Sequence, residues 1–171
     1  MPEPTFLAAV HRWFEKNLGA PTPIQLRAWE TLQAGRHALI SAPTGSGKTL
    51  AAFLSVLNHL YAQSLSGALE KGSRVLYISP LKALSNDIEK NLRLPLLGIA
   101  EELRAEGLKA GEVTVMVRTG DTTQSSRARM LKDRPHIIVT TPESFYVLLT
   151  SERGREMLST IDTVIVDEIH A

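Results

Sequence analysis

The chain has 171 residues, which is enough for one domain with a hydrophobic core and too few for two domains of ordinary size. Its formal net charge is only +1, so an argument for a nucleic-acid ligand must come from local features. The absence of cysteine excludes disulfides and thiolate metal sites and favours a reducing, cytoplasmic setting. The most apolar window, residues 51–57, is far below membrane-spanning length, so we expect no membrane association.

Two helices are predicted first. Residues 5–17 have apolar side chains on one helical face, which we expect in the core: Phe6, Val10, Trp13 and Phe14. In the second helix Thr22 is the expected N-cap and Pro23 the first helical residue. Gln25 is the third residue and completes a T-x-x-Q capping box. Gly35 is expected to end this helix.

Beyond residue 36 short apolar runs alternate with helical stretches. The predicted strands are residues 37–41, 74–79, 113–118, 136–140 and 161–167. The predicted helices are residues 47–65, 81–92, 96–107, 124–133 and 142–151, the last with Thr141 as cap and Pro142 at its first position. This alternation is typical of an α/β fold in which helices cover both faces of a parallel sheet. Functional sites in such sheets gather at the carboxyl ends of the strands.

The first predicted strand leads into the sequence APTGSGKT, and a predicted helix follows. This is the setting that a phosphate loop of the pattern G-x-x-x-x-G-K-[ST] requires, although Ala42 replaces the first glycine. Glycines let the backbone approach phosphate oxygens, Lys48 is expected to reach the terminal phosphates, and Thr49 is expected to bind Mg²⁺. The alternative is a glycine-rich turn that precedes Lys and Thr by chance. The predicted cofactor-binding residues of this loop are Ala42, Pro43, Thr44, Gly45, Ser46, Gly47, Lys48 and Thr49.

Two adjacent carboxylates, Asp167 and Glu168, follow the last predicted strand. Because nucleotide-bound Mg²⁺ takes only one or two protein carboxylates, we expect Asp167 to lie beside Thr49 and hold the metal ion. Glu168 is expected to orient or deprotonate the attacking water, and Lys48 is the third predicted catalytic residue. Taken alone, an Asp-Glu pair after a strand can also cap the helix that follows.

Six motifs occur along the chain in the order found in superfamily 2 helicases: Gln25, APTGSGKT, SPLKALSNDI, RTGDT, TTPESF and VDEIHA. The chain therefore resembles the first RecA-like domain of such an enzyme, a P-loop NTPase domain. The stretches HRWFEKNLGAPTPIQ, ISPLKALSNDIEKNL and VDEIHA are most similar to the Lhr (large helicase-related) family of DNA-dependent ATPases. The resemblance covers nearly all of residues 1–171 and implies an N-terminal ATP-binding domain with ATP and Mg²⁺ as cofactors.

The resemblance implies that Gln25 contacts the adenine of ATP, since an amide offers the donor and the acceptor that match adenine N7 and N6. The same side chain is expected to complete the capping box, so the two roles compete for its atoms. Phe6, Trp13 and Phe14 are candidates for stacking near the base, but their shared helical face favours the core.

The resemblance also implies contacts with a nucleic-acid backbone at the ends of three predicted strands. The implied residues are Pro80, Lys82, Ala83, Thr119, Gly120, Asp121, Thr141, Pro142 and Glu143. Such contacts give salt-dependent binding that is indifferent to base sequence. The basic stretch 124–134 is a further candidate, with a solvated helix face as the alternative. His170 of the DEIH motif is implied to couple the nucleotide site to the rest of the motor.

None of the family's later motifs is present, so we expect the chain to be part of a larger ATPase. A second RecA-like domain would supply the arginines that stabilise charge on the transferring phosphoryl group, and without it we expect only slow hydrolysis. Single-stranded DNA is the expected partner. Two alternatives stay open, an RNA helicase of the same superfamily and a non-catalytic nucleic-acid-binding fragment. A phosphate-loop kinase is disfavoured because DEIH and the strand-end motifs have no role there.

Overall fold

The computed structural model describes residues 6–43, 45–80 and 88–169. The chain forms two compact units, one made of residues 1–68 and 87–111 and the other of residues 69–86 and 112–171. Four of the predicted site residues lie outside the described residues: Thr44, Lys82, Ala83 and His170. No helix in the described part of the chain has both the length and the apolar character needed to cross a membrane.

The first unit consists of helices. They are α1 (Ala8–Leu18), α2 (Pro23–Gln33), α3 (Lys48–Leu65) and α4 (Leu94–Ala105), and a π-helical turn (Glu89–Arg93) leads into α4. The predicted capping box at the start of α2 is confirmed. Thr22 Oγ1 accepts the Gln25 N–H at 3.4 Å, and Gln25 Oε1 accepts the Thr22 N–H at 2.9 Å. Gly35 follows the helix with a φ of 69°, which fits its predicted role as the terminator.

Trp29 is the centre of the aromatic core in this unit. Its ring meets Phe6 and Phe14 edge-to-face at centroid distances of 4.9 and 5.4 Å. Its Nε1 donates a hydrogen bond to the Ala51 carbonyl at 3.0 Å, so the buried indole is satisfied and α2 is fastened to α3. The structure thus places Phe6 and Phe14 in packing contacts as predicted, but Phe6 precedes α1, which begins at Ala8 and not at residue 5.

Helices α1 and α4 cross at close range. A Cβ built on Gly98 of α4 would lie 2.1 Å from Trp13 Nε1, so the crossing requires glycine. Tyr61 of α3 fastens the same helix, because its hydroxyl donates to the Leu96 carbonyl at 2.8 Å. Burial raises the pKa of Tyr61 to about 12, with Arg104 acting in the opposite direction, so this hydroxyl stays a donor at neutral pH.

The second unit contains a parallel sheet of the order β2-β3-β1-β4. Its elements in chain order are β1 (Val75–Ile78), β2 (Val115–Arg118), α5 (Gln124–Asp133), β3 (Ile137–Thr140), α6 (Pro142–Thr150), α7 (Glu152–Leu158) and β4 (Thr163–Val166). Every residue of the two inner strands is buried. A core cluster joins the sheet to its helices through Leu76, Ile78, Met130, Ile138, Leu148 and Met157. Four of the five predicted strands are confirmed.

The strand register brings the predicted motifs to one edge of this sheet. Ile78 pairs with Thr140 on one side and with Val166 on the other, and Thr140 also pairs with Arg118. All four strands therefore end at the same level. The described residues that follow the strands belong to the SPLK, RTGDT, TTPES and DEIH motifs and emerge together at this carboxyl edge: residues 79–80, 119–122, 141–144 and 167–169.

The prediction of a strand at residues 37–41 is wrong. These residues lie in irregular structure, and the Leu39 side chain is 82% exposed. An apolar run becomes a strand only when it pairs with a neighbouring strand through backbone hydrogen bonds. Among the described residues, the strands that pair in this way are β1, β2, β3 and β4.

Helix α7 was not predicted. The predicted helix 142–151 stops at Thr150, because Ser151 takes an extended conformation and its Oγ accepts the Gly154 N–H at 3.2 Å. Ser151 is thus both the C-cap of α6 and the N-cap of α7.

Candidate nucleotide and nucleic-acid site

The predicted phosphate loop lies directly before α3. Gly45 and Gly47 have φ values of 81° and 85°, in the left-handed region that favours glycine. Lys48 is the first residue of α3, and its Nζ donates to the carbonyl oxygens of Ala42 at 2.5 Å and Pro43 at 3.0 Å. The loop is thus curled around the lysine ammonium. Thr49 follows in the first turn of the helix, where backbone N–H groups have no acceptor within the helix.

This loop fits a nucleotide phosphate. Ser46 Oγ is buried and has no hydrogen-bond partner among the residues that the structure describes. The N-terminal amides and the dipole of an 18-residue helix favour an anion at the same place. A Cβ on Gly47 would lie 2.4 Å from Gln25 Nε2, so both the backbone conformation and the available space require glycine there.

Gln25 connects α2 to the phosphate loop. Its side chain is buried, its Nε2 donates to the Gly47 carbonyl at 3.4 Å, and its Oε1 serves the capping box. Thr22 Oγ1 makes a second link through the Ser46 carbonyl at 3.3 Å. Each amide atom of Gln25 therefore has one structural bond and one remaining N–H or lone pair. An adenine contact that uses the remaining pair stays a prediction.

The acid pair follows β4 at the carboxyl edge of the sheet. The Asp167 N–H donates to the Ile78 carbonyl at 2.9 Å and extends the pairing of β4 with β1 by one residue. Asp167 Oδ1 accepts the Glu168 N–H at 2.9 Å, and Oδ2 accepts the Tyr77 hydroxyl at 2.9 Å. Glu168 has a φ of 51°, an uncommon left-handed conformation for a residue with a side chain. Because Thr49 belongs to the first unit and Asp167 to the second, the Mg²⁺ ion that they would share stays a prediction.

The turn after β2 is held by side chains of its own segment. The Thr119 N–H donates to Thr122 Oγ1 at 2.8 Å, and Arg127 donates to the carbonyls of Gly120 at 2.7 Å and Thr119 at 3.4 Å. Asp121 is exposed at the tip. The predicted nucleic-acid residues of this motif thus form a fixed turn at the carboxyl edge.

Helix α6 begins at the same edge. Thr141 caps it as predicted, because its Oγ1 accepts the Ser144 N–H at 3.3 Å, and Pro142 is the first helical residue. Hydrogen bonds from its own backbone N–H and from the Thr141 hydroxyl lower the pKa of Glu143. Glu143 is therefore charged at neutral pH, and a phosphate near this helix would be bound by backbone amides and not by this carboxylate. Pro80 follows β1, and its predicted contact is likewise untested.

Positive charge accumulates next to the RTGDT turn. Arg118 is buried at the end of β2, and burial together with the neighbouring Arg127 lowers its pKa. Two guanidinium groups held close together favour an anion beside them. Along α5, Arg129 instead pairs with Asp133 at 3.0 Å, so the basic stretch 124–134 is partly neutralised by its single acidic residue.

Tyr77 was missed by the sequence reasoning. It lies in the middle of β1, 90 positions before its partner Asp167, and local sequence gives no sign of which strands are neighbours. The one available signal was a single hydroxyl in the otherwise aliphatic strand VLYI.

Two features are typical of a phosphate-loop nucleotide-binding domain. One is a glycine-containing loop at the start of a long helix, and the other is an Asp-Glu pair that follows the last strand of a parallel sheet. A sequence profile described as "DEAD/DEAH box helicase" matches residues 22–171. The chain belongs to this helicase family.

The most similar relatives include several Lhr helicases. The chain is 46% identical over 170 residues to the "Lhr helicase/uracil glycosylase" of Escherichia coli (strain K12). It is 48% identical over 162 residues to the "ATP-dependent helicase Lhr-Core" of Methanocaldococcus jannaschii. The solved structure of the Mycobacterium smegmatis helicase Lhr bound to ssDNA and AMP-PNP superposes with a TM-score of 0.86 at 47% identity over 96% of this chain. The RecA-like fold and the resemblance to Lhr helicases are thereby confirmed.

This chain spans a small part of those proteins. The match to the E. coli relative includes 97% of this chain but 11% of that protein. The match to the M. jannaschii relative includes 95% of this chain but 19% of that protein. It matches 20% of the solved M. smegmatis chain.

Proposed function

We propose that the chain is the ATP-binding motor domain of an ATP-dependent DNA helicase or translocase. The phosphate loop carries this proposal. Its two glycines in the left-handed conformation lead into Lys48 at the start of α3, and Lys48 Nζ donates hydrogen bonds to two carbonyls of the loop. A lysine held in this way can exchange carbonyl oxygens for phosphate oxygens without moving its backbone. Membership in the helicase family supports the same conclusion.

Each residue of the site has a proposed task. Bound ATP and Mg²⁺ supply the phosphoanhydride bond and the charge that neutralises the phosphates. Lys48 and the first-turn amides of α3 would hold the terminal phosphates, and Thr49 and Asp167 would each supply an oxygen ligand for the metal ion. Glu168 accepts a proton from the attacking water and orients it. Gln25 contacts adenine through the amide hydrogen and lone pair that its capping role leaves over.

We propose single-stranded DNA as the nucleic acid at the carboxyl edge of the sheet. The fixed turn at Thr119 and Gly120, the N-terminus of α6 and the neighbouring Arg118 and Arg127 offer donors and positive charge for phosphates. DNA is favoured over RNA because the solved M. smegmatis relative is bound to ssDNA.

We further propose that a second RecA-like domain of the same protein completes the site with arginines. The support is that the relatives are five to nine times longer than the part this chain matches, as the covered shares of 11–20% require. The cysteine-free sequence supports a cytoplasmic location.

The test is nucleotide binding and ssDNA-stimulated ATP turnover of the protein in its full-length form, with the variant Lys48→Ala. A hydrogen bond to a charged group contributes about 1.5–3 kcal/mol, so nucleotide affinity should fall roughly 10- to 100-fold. Lys109→Ala, which removes an exposed lysine outside the site, should behave as wild type. If Lys48→Ala bound ATP normally while DNA binding persisted, a non-catalytic role would be favoured. Stronger stimulation by RNA than by DNA would overturn the proposed substrate.

A further inference from the structure

The buried hydroxyl of Tyr77 contacts the first carboxylate of the DEIH motif. We propose that Tyr77 is a positioning residue that sets the orientation of Asp167 for metal binding. This inference rests on the proposed function of Asp167 as the Mg²⁺ ligand. It adds a residue that lies outside the six sequence motifs.

The sheet register brings the two side chains together. Tyr77 in β1 pairs with Ile165 in β4, and Asp167 lies two residues beyond Ile165. Side chains two residues apart along an extended strand point to the same face, so Tyr77, Ile165 and Asp167 share one face of the sheet. The Asp167 N–H bond to the Ile78 carbonyl keeps the strand geometry as far as Asp167. The tyrosine ring therefore extends along the face until its hydroxyl meets Oδ2 at 2.9 Å.

The carboxylate is held at both of its oxygens. Oδ1 accepts the Glu168 N–H and Oδ2 accepts the Tyr77 hydroxyl, each at 2.9 Å. The backbone bond fixes one oxygen, and the tyrosine bond fixes the rotation of the carboxylate plane about χ2. A carboxylate oxygen has two lone pairs, so an oxygen that accepts a hydrogen bond can also bind a metal ion. Outer partners that orient a metal-binding carboxylate are a general feature of metal sites.

Tyrosine at this position does more than fill the core. The side chain is fully buried at 0% exposure, in a strand whose other residues are aliphatic. Phenylalanine would fill the same space without a buried hydroxyl that needs a partner. The Tyr77 hydroxyl donates to the carboxylate of Asp167 at the sheet edge, whereas the buried hydroxyl of Tyr61 donates to a backbone carbonyl, that of Leu96.

The test is the Mg²⁺ dependence of ATP turnover by the full-length protein carrying Tyr77→Phe. Loss of such an outer partner typically lowers metal affinity about 10- to 100-fold, so the Mg²⁺ concentration for half-maximal turnover should rise by at least about 10-fold. Nucleotide binding measured without Mg²⁺ should not change, because Lys48 and the loop amides are untouched. A purely structural role would not separate these two measurements.

Tyr61→Phe is the matched control, since it also removes one buried hydroxyl bond, to the Leu96 carbonyl at 2.8 Å. It should leave the Mg²⁺ dependence as in wild type. Asp167→Asn separates the two levels of the argument and should shift the Mg²⁺ dependence at least as far as Tyr77→Phe. If Asp167→Asn shifts it and Tyr77→Phe does not, this inference is wrong and the proposed function stands. If Asp167→Asn leaves it unchanged, the metal role of Asp167 is itself wrong. Equal shifts in both tyrosine variants would also overturn the inference.

Discussion

Gly47 at the start of α3 should be the least replaceable residue of the phosphate loop. The change Gly47→Ala adds one methyl group at a residue whose φ is 85°. The added Cβ would lie 2.4 Å from Gln25 Nε2 and 3.1 Å from Gln25 Cδ. The alanine is therefore destabilising for two separate reasons, backbone strain at a positive φ and a steric clash with the Gln25 side chain.

The size of the effect follows from these two penalties. An L-residue in the left-handed conformation costs roughly 1–2 kcal/mol. To make room, the Gln25 amide must move away, which breaks its bond to Gly47 O and the Oε1 bond to the Thr22 N–H. Loss of an N-terminal cap costs about 1 kcal/mol. The free energy of unfolding should therefore fall by roughly 2–3 kcal/mol.

Urea denaturation of the wild type and of a matched variant measures this. Gly45→Ala is the control, because Gly45 has a similar φ of 81° but no neighbouring atom within 4 Å of its built Cβ. It should lose only the backbone share, roughly 1–2 kcal/mol. In a Gln25→Ala background, Gly47→Ala should cost no more than Gly45→Ala does. Equal losses for the two glycine variants in the wild-type background would refute the steric part of the reasoning.

Three further predictions concern other parts of the molecule. Burial and Arg74 lower the pKa of His136, and Glu112 acts in the opposite direction. The folded state therefore favours the neutral ring, and its Nδ1 accepts the Thr114 N–H at 3.1 Å. Stability should therefore fall as the pH decreases below the unfolded value of about 6.5, and His136→Asn, which keeps an acceptor, should flatten the Tm profile between pH 7 and 5. Gly98→Ala should destabilise, because overpacking costs about 1–3 kcal/mol and the better helix propensity of alanine returns at most about 1. Lys132→Gln on the exposed side of α5 should lower the salt slope of ssDNA binding by about 0.7 if it neutralises one phosphate.

Each of these has an outcome that would contradict it. A Tm profile for His136→Asn as steep as that of wild type would mean that another group causes the acid sensitivity. A gain in urea midpoint for Gly98→Ala would show that helices α1 and α4 separate freely. For the salt slope, Lys109→Gln is the matched control, and equal slopes in both lysine variants and wild type would leave α5 as a solvated face.

Local patterns predicted those features whose causes are local. The capping box at Thr22 and the cap at Thr141 depend on side chains that reach three residues along the chain, and both were found as predicted. The four confirmed strands are apolar runs that pair with a neighbouring strand. Residues 37–41 also contain a short apolar run, yet they remain irregular, because strand formation depends on a partner that local sequence does not reveal.

The site was predicted as motifs and not as contacts. Sequence reasoning placed Asp167 and Glu168 at the end of a strand, but it did not show that Tyr77 would contact the first of them. That contact depends on the register between β1 and β4, a relation across 90 residues. Likewise the double use of the Gln25 amide was posed as a competition, and only the geometry shows how its atoms are shared between the cap and the loop.

The backbone at Glu168 gives protein engineers a reason for care. A side-chain-bearing residue held at a φ of 51° is an obvious target for thermostabilisation, since glycine or asparagine accepts that conformation more readily. Either replacement would remove the very carboxylate that we propose as the proton acceptor. A screen that ranked variants by melting temperature alone would therefore select inactive variants. Activity should be selected together with stability at this position.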